Sequence, residues 1–311
     1  MRRLSVLNIT VWGGVACLLG FLAVSPARAD NLYGTIRGTA IDQTGAVIPG
    51  VTVTVTNQDT GISRTAVSQA DGSFEFVNLL APATYTVTVT KEGFRKSVSE
   101  NVHLDVNQAF VANATLEVGA TTQEVTVQAQ TAQINTTSMQ LGTTITGNTI
   151  EDLPLNGRNW IQLQQLQPGV VGASDRFGTG TMGTNFSTNG NQTQQNSFYV
   201  NGVDTADISL NTAGVIPSPD AIGEFHMVTS TINPEYGRNS GAVMNAVIKN
   251  GTNQLHGDGF EFYRDTSMNS KNFFTGVVPF HQNQFGGTVG GPIVLPHIYN
   301  GRNKTFFFFS Y

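Results

Sequence analysis

The chain has 311 residues, and only 12% of them are Asp, Glu, Lys or Arg, about half the roughly 25% of an average soluble domain. That composition argues against a charge-coated cytosolic enzyme, while 39% hydrophobic residues argue against disorder over most of the length. The 34 glycines and the abundance of Thr, Asn and Gln point to β-structure and turns. With a formal charge of −5 and scattered Lys and Arg, the chain has no nucleic-acid footprint.

Met1-Arg2-Arg3, the apolar run Leu4 to Val24 and the small-x-small ending Ala27-Arg28-Ala29 have the pattern of an export signal, with cleavage expected after Ala29. A retained membrane anchor is the alternative, because the apolar run approaches the ~20 residues of a spanning helix. Loss of Arg2, Arg3 and Arg28 would take the charge from −5 to −8. It would also remove Cys17, the single cysteine, so thiolate metal sites, cysteine nucleophiles and disulfides are not expected.

From Tyr33 to about Leu116 the pattern is one of short strands. Val51, Val53 and Val55 alternate with threonines, as do Tyr85, Val87 and Val89, which gives each strand one apolar face. Asp71-Gly72 reads as a turn that sends Phe74 and Phe76 inward. About seven strands in roughly 85 residues make a β-sandwich. Gly34-Thr35-Ile36-Arg37-Gly38, Ile48-Pro49-Gly50-Val51, Asp71-Gly72-Ser73-Phe74 and Gly93-Phe94 resemble the carboxypeptidase regulatory-like domain, a transthyretin-like sandwich. The residues do not support catalysis here. No histidine is followed three residues on by the glutamate that a zinc carboxypeptidase site needs.

Residues 118–149 are rich in Thr, Gln and Asn and read as a tether, with an extended patch at Glu124, Val125, Thr126 and Val127. Such a patch can add to the sheet edge of another protein through main-chain hydrogen bonds. A last strand of the sandwich is the plainer alternative. In position and type the patch resembles the TonB box of TonB-dependent transporters.

Between 150 and 250 the expectation is a small α/β unit. Trp160, Leu163 and Leu166 recur at three-residue spacing, so a short helix is expected from near Asn156 or Gly157 to Pro168. Asn201-Gly202 signals a tight turn after the strand Ser197-Phe198-Tyr199-Val200. Ile222 to Thr229 and Gly241 to Lys249 are two further extended runs. Asp204, Asp207, Asp220 and Glu224 lack the spacing of a calcium loop and are assigned no chemistry. Gly286 to Gly291 does not fit the dinucleotide fingerprint and is placed between strands.

Leu153-Pro154-Leu155-Asn156-Gly157-Arg158, Tyr199-Val200-Asn201-Gly202-Val203-Asp204 and Asn233-Pro234-Glu235-Tyr236-Gly237-Arg238 resemble, in that order, the plug domain of TonB-dependent outer-membrane receptors. The likeness is strongest to the Oar-like branch, which carries a regulatory-like sandwich before the plug. It implies a gate opened by an inner-membrane TonB complex pulling on the box. It further implies an outer-membrane location, with the sandwich and tether in the periplasm.

Leu255 to Arg264, Gln282 to Val294 and Lys304 to Tyr311 each approach the ~10 residues of a transmembrane strand, with Phe260, Phe262 and Tyr263 suited to a lipid-facing band. Phe306 to Phe309 would be hazardous as a free edge in water. Three strands cannot close a barrel, which needs about eight at least and about 22 to hold a plug. The expectation is a fragment of a larger transporter. It is laid out as signal 1–29, sandwich 30–117, tether 118–149, plug 150–250 and barrel start 251–311. The expected partners are the TonB complex, outer-membrane lipid and a solute whose identity the sequence does not give, in the class of an oligosaccharide, peptide or metal chelate, with neither cofactor nor enzymatic activity. A secreted adhesion or carbohydrate-binding sandwich is the alternative function.

Overall fold

The computed structural model describes residues 32–119, 124–128, 140–172, 186–207, 209, 211–270, 274, 276 and 279–311. The export signal and its cleavage site lie outside the described residues.

Threonine-valine alternation becomes a two-sheet sandwich. The strands are β1 (Tyr33–Asp42), β2 (Thr52–Asn57), β3 (Ser63–Val67), β4 (Ser73–Leu80), β5 (Ala83–Thr90), β6 (Lys96–Leu104), β7 (Ala109–Val111) and β8 (Ala114–Leu116). One sheet has the order β4-β1-β7, with β8 also paired to β1. In the other, β2 pairs antiparallel with β5 so that Val53 faces Val89 and Val55 faces Val87. All four valines are buried in one core with Ile36, Phe74, Phe76 and Leu104, because successive side chains of a strand alternate faces. The Asp71-Gly72 turn is closed by Asp71 Oδ1, which accepts from the Ser73 amide at 3.0 Å and the Ser73 hydroxyl at 2.6 Å. Ser68 bridges the loop before β2: its Oγ accepts from the buried Val51 amide at 2.9 Å and donates to the Ile48 carbonyl at 3.2 Å.

Within 118–149 the structure takes the sandwich-strand alternative at Glu124–Gln128 and corrects the tether reading at Leu141–Thr146. A ninth strand, β9 (Glu124–Gln128), lies parallel to β6, with Lys96 opposite Glu124 and Glu100 opposite Gln128. It extends the second sheet to the order β3-β2-β5-β6-β9. A tenth, β10 (Leu141–Thr146), belongs to the next unit. Thr, Val and Gln in short alternation satisfy an edge strand as readily as a solvated chain, so composition could not separate the two.

The plug-like unit is built on a five-stranded sheet. After β10 come α1 (Gly147–Asp152), the small pair β11 (Val170–Gly172) and β12 (Phe186–Thr188), then β13 (Ser197–Val200), β14 (Val203–Asp204), β15 (Ile222–Ser230) and β16 (Val243–Ile248). The sheet order is β10-β15-β16-β13-β14. Asn201 (φ 50°) and Gly202 (φ 73°) form the expected two-residue turn, closing Val200 onto Val203. The helix expected up to Pro168 is instead two 3₁₀ segments, Asn156–Arg158 and Trp160–Leu166. Gly157 (φ 65°) and Arg158 (φ 53°) are both left-handed, and the Asn159 side chain restarts the chain by accepting from the Ile161 amide at 3.0 Å. The three-residue spacing of Trp160 and Leu163 is the period of a 3₁₀ helix. Both are fully buried against one face of the sheet, with Phe198, Phe225, Met227 and Met244. The Trp160 ring meets Phe225 edge-on at 5.7 Å.

The last strands are β17 (His256–Asp265), β18 (His281–Pro292), the small pair β19 (Val294–Leu295) and β20 (Tyr299–Asn300), and β21 (Phe306–Ser310). The sheet order is β17-β18-β21, all antiparallel. The glycine run lies inside β18 rather than between strands. Gly286 is opposite Phe260 and Gly290 is opposite His256. A Cβ at Gly286 would come within 2.6 Å of the Phe260 ring, and one at Gly290 within 2.6 Å of the His256 ring. The run is therefore the space into which neighbouring rings lie down.

Replacing Ser68 with Ala should leave the buried Val51 amide without an acceptor and cost about 1–3 kcal/mol. Urea unfolding and hydrogen exchange at the Val51 amide would register the change; an unaltered midpoint with unaltered exchange would contradict it.

Candidate functional site

Two contact zones meet on the plug-like unit, and a third candidate zone lies at the edge of the sandwich. The first joins it to the barrel strands. Arg158, at the end of the Leu153–Arg158 motif, pairs with Asp220, and Asp220 Oδ2 also accepts from Ser218 Oγ at 2.5 Å. The Arg158 guanidinium lies 4.0 Å from the Phe262 ring centroid and 4.6 Å from that of Phe260, within the range of a cation–π contact. Arg264, on the same face of β17, donates from Nη1 to Asn156 Oδ1 at 3.1 Å.

These contacts settle which face of the three-stranded sheet is inner. Phe260, Phe262 and Arg264 share the face toward the plug-like unit, so a lipid-facing band that includes Phe260 and Phe262 is corrected. Tyr263 alone of that trio points the other way, as the period of two requires. Register carries the division across the sheet: Phe306 and Phe308 fall on the inner face, opposite Pro292 and Gly290, while Phe307 and Phe309 fall on the outer one. Phe308 stacks on His256, with ring centroids 6.4 Å apart. The outer face presents Tyr263, Phe285, Val289, Phe307, Phe309 and Tyr311, all exposed.

The second zone joins the sandwich to the plug sheet. One face of that sheet packs on Trp160 and Leu163; the other carries Glu224, His226 and, across the strand pair, Val247 and Asn245. Val247 packs into the core of the sandwich. The loop Asp105-Val106-Asn107, which follows β6, reaches the same face. The buried Val106 amide donates to Glu224, 3.3 and 3.4 Å from its two oxygens, and Asn107 Nδ2 donates to the Tyr236 hydroxyl at 3.0 Å. Tyr236 packs edge-on against Tyr199 at 5.4 Å. Glu224 is 1% exposed, and burial, with the Asp105 charge second, pushes its carboxyl up to about 8. Burial likewise lowers His226, whose Nδ1 is 3.0 Å from Thr144 Oγ1. His103 shifts the opposite way, raised chiefly by its contact with Asp105 at 3.2 Å.

The third zone is the candidate partner strand. Glu124, Val125, Thr126 and Val127 lie together in β9 at the edge of the second sandwich sheet, bonded on one side to β6. A cleft of about 480 Å³ also opens among the β2–β3 turn, the end of β16 and the start of β17, lined by Asn57, Asp59, Lys249, Asn250, Thr252 and His256. Lys249 there is engaged with Glu151 at 2.5 Å.

The four carboxylates singled out from the sequence serve separate ends. Asp220 holds Arg158, Asp204 Oδ1 accepts from the Ala206 amide at 2.9 Å, Asp207 Oδ1 accepts from the Ser209 amide at 2.9 Å, and Glu224 faces the sandwich. Among the described residues no cluster of His, Cys, Asp and Glu could hold a metal ion. Sequence reasoning missed Arg158 and Glu224 as contact residues. The only signal was a charge amid apolar neighbours, Glu224 between Ile222 and Phe225.

Arg158→Ala should strip the largely buried Asp220 of its partner and cost about 3 kcal/mol. Trp160 fluorescence during urea unfolding, in a Trp12→Phe background, would report it. An unchanged midpoint would show that the contact is incidental.

Residues 35–117 match the family of carboxypeptidase regulatory-like domains, and residues 247–311 match the outer membrane beta barrel domain. Over 313 aligned residues, 95% of this chain, the sequence is 27% identical to the TonB-dependent transporter Oar of Myxococcus xanthus, and the match spans 28% of that protein's length. Among solved structures, the siderophore receptor PirA from Acinetobacter baumannii aligns with 51% of this chain and 23% of its own, at a TM-score of 0.37 and 24% identity. The outer membrane transporter YddB from Escherichia coli aligns with 48% of this chain and 24% of its own, at 0.38 and 18%. The barrel-domain match and the Oar relative point to the outer membrane. With a regulatory-like sandwich at one end, barrel-domain strands at the other and likeness to Oar along nearly the whole sequence, this chain is similar to the TonB-dependent transporters of the Oar-like type.

Proposed function

We propose that the chain supplies the gate and its periplasmic attachments in a TonB-dependent outer-membrane transport receptor. The observation that carries this reading is the two-faced sheet β17-β18-β21. Its inner face is bound by Arg158 and Asn156 of the plug-like unit, and its outer face presents exposed aromatic and aliphatic side chains, with Glu261 and Asn283 among them. A small α/β unit on the inner wall of a lipid-facing sheet is a plug. The layout assigned is signal 1–29, sandwich 30–117, connecting segment 118–149 with Glu124 to Val127 as the partner strand, plug 150–250 and barrel from 251.

In this reading the work is mechanical. A TonB complex of the inner membrane engages Glu124 to Val127 by strand addition, where main-chain hydrogen bonds supply the affinity. Force on that segment shifts the plug and admits a small or oligomeric solute such as an oligosaccharide, a peptide or a metal chelate. Nothing in the mechanism calls for enzymatic chemistry.

Binding of the 311-residue chain to the periplasmic domain of TonB is the test. The chain should bind saturably, and Thr126→Pro, which removes one backbone donor from the strand, should weaken binding at least tenfold. Equal binding by both chains would reject Glu124 to Val127 as the contact.

A further inference from the structure

A buried carboxyl group is an expensive way to join two surfaces. Glu224 offers up to four lone-pair sites but among the described residues is met by one donor, the Val106 amide, 3.3 and 3.4 Å from its two oxygens, at the long end of hydrogen bonding. Burial and the Asp105 charge disfavour a negative charge on it, and they outweigh the Val106 amide and His103, which favour one. Asp105 approaches from the sandwich with the same sign, and His103, half-exposed, is already engaged with Asp105. On the plug sheet, His226 shares the face of Glu224 and is held toward its neutral form by burial. The cross-strand neighbours Thr146 and Val247 carry no charge. Further polar contacts that hold the sandwich are between neutral groups: Asn107 to the Tyr236 hydroxyl, and the Asn253 amide to the Asp59 carbonyl at 2.9 Å.

We propose that the sandwich is a releasable cover on the back face of the plug sheet, seated by the Asp105–Asn107 loop on Glu224 and Tyr236 and released when Glu224 gives up its proton. The description of this sheet as part of a gate rests on the function proposed above; the docking and its release do not. The same strand ties the cover to the partner segment. β6 pairs through Lys96 to Glu100 with β9 and runs from Leu104 directly into Asp105. A partner that engages β9 therefore acts on the element whose far end holds the plug.

The sign follows from proton linkage. In the docked state the Glu224 carboxyl is raised to about 8, whereas solvent exposure would return it toward 4.5. Docking is therefore fully favoured below the lower value, takes up a proton between the two, and weakens as pH rises through about 8. Within that window the docking constant falls by up to about tenfold per pH unit.

The experiment is a distance measurement on the full-length receptor in lipid nanodiscs. In a Cys17→Ser background, spin labels are attached at Thr65→Cys on the sandwich and Asp152→Cys on the plug, and double electron–electron resonance is recorded from pH 5 to pH 9. A narrow distance distribution is expected at pH 5, with a second, broad population growing toward pH 9. Glu224→Gln should keep the narrow distribution at every pH. Asp105→Asn, which removes the like charge while leaving the plug sheet untouched, should reduce the pH effect. Tyr236→Phe should weaken docking at every pH without altering the trend. A wild-type distribution that does not change with pH, or a Glu224→Gln chain that retains the wild-type response, would overturn the proposal. If docking responds as expected while the full-length receptor fails to take up any solute, the gate reading fails and the cover stands.

Discussion

Everything in this chain is arranged around a sheet that must be covered on both faces. β15 and β16 carry apolar side chains on each side, and a sheet buried on both faces needs a layer on each. The plug-like unit supplies one layer from its own sequence, the 3₁₀ segment with Trp160 and Leu163. The sandwich supplies the other: its core takes in Val247 of β16, and its loop residues Val106 and Asn107 reach Glu224 and Tyr236. The two parts are thus neighbours in space because of a packing requirement, and the polar groups at their contact are the adjustable element within an otherwise apolar arrangement.

A second alternation governs the far side. Strands β17, β18 and β21 divide their aromatic residues between faces by the period of two, and the plug-like unit occupies the inner face through Arg158. Four consecutive phenylalanines then resolve into two pairs with different surroundings. Phe306 and Phe308 turn inward; Phe307 and Phe309 turn outward. Glycines at 286 and 290 make the inner layer thin enough for rings to lie across the strand. The outer face carries glycines as well, Gly257 opposite Val289, Gly259 opposite Gly287 and Gly291 opposite Phe307.

What could be read from the sequence follows from which signals are local. The valine-threonine alternation of β2 and β5, the Asp71-Gly72 and Asn201-Gly202 turns and the long extended runs of β15 and β16 are each decided by a few neighbouring residues, and each was legible. The 3₁₀ segment was misread as a helix because three-residue spacing suits either and the left-handed pair Gly157-Arg158 leaves no periodic trace. β9 was seen as an extended patch with a last sandwich strand as the alternative, while β10 was read as tether, because an edge strand takes its partners from residues far along the chain. Phe260 and Phe262 were set toward lipid because composition shows that a strand is aromatic but not which face a distant arginine will occupy. Glu224 was visible only as a charge in the wrong place; its partner lies 118 residues away.

The division of faces is the central claim, since it makes the α/β unit a plug rather than a neighbour. Spin labels placed singly at Phe262, Tyr263, Phe308 and Phe309 in the full-length receptor, reconstituted in a bilayer, read that division through collision with oxygen and with a water-soluble nickel complex. The account predicts lipid-like oxygen accessibility at Tyr263 and Phe309, with low accessibility to both reagents at Phe262 and Phe308. Equal lipid exposure within each pair, or the reverse order, would contradict it.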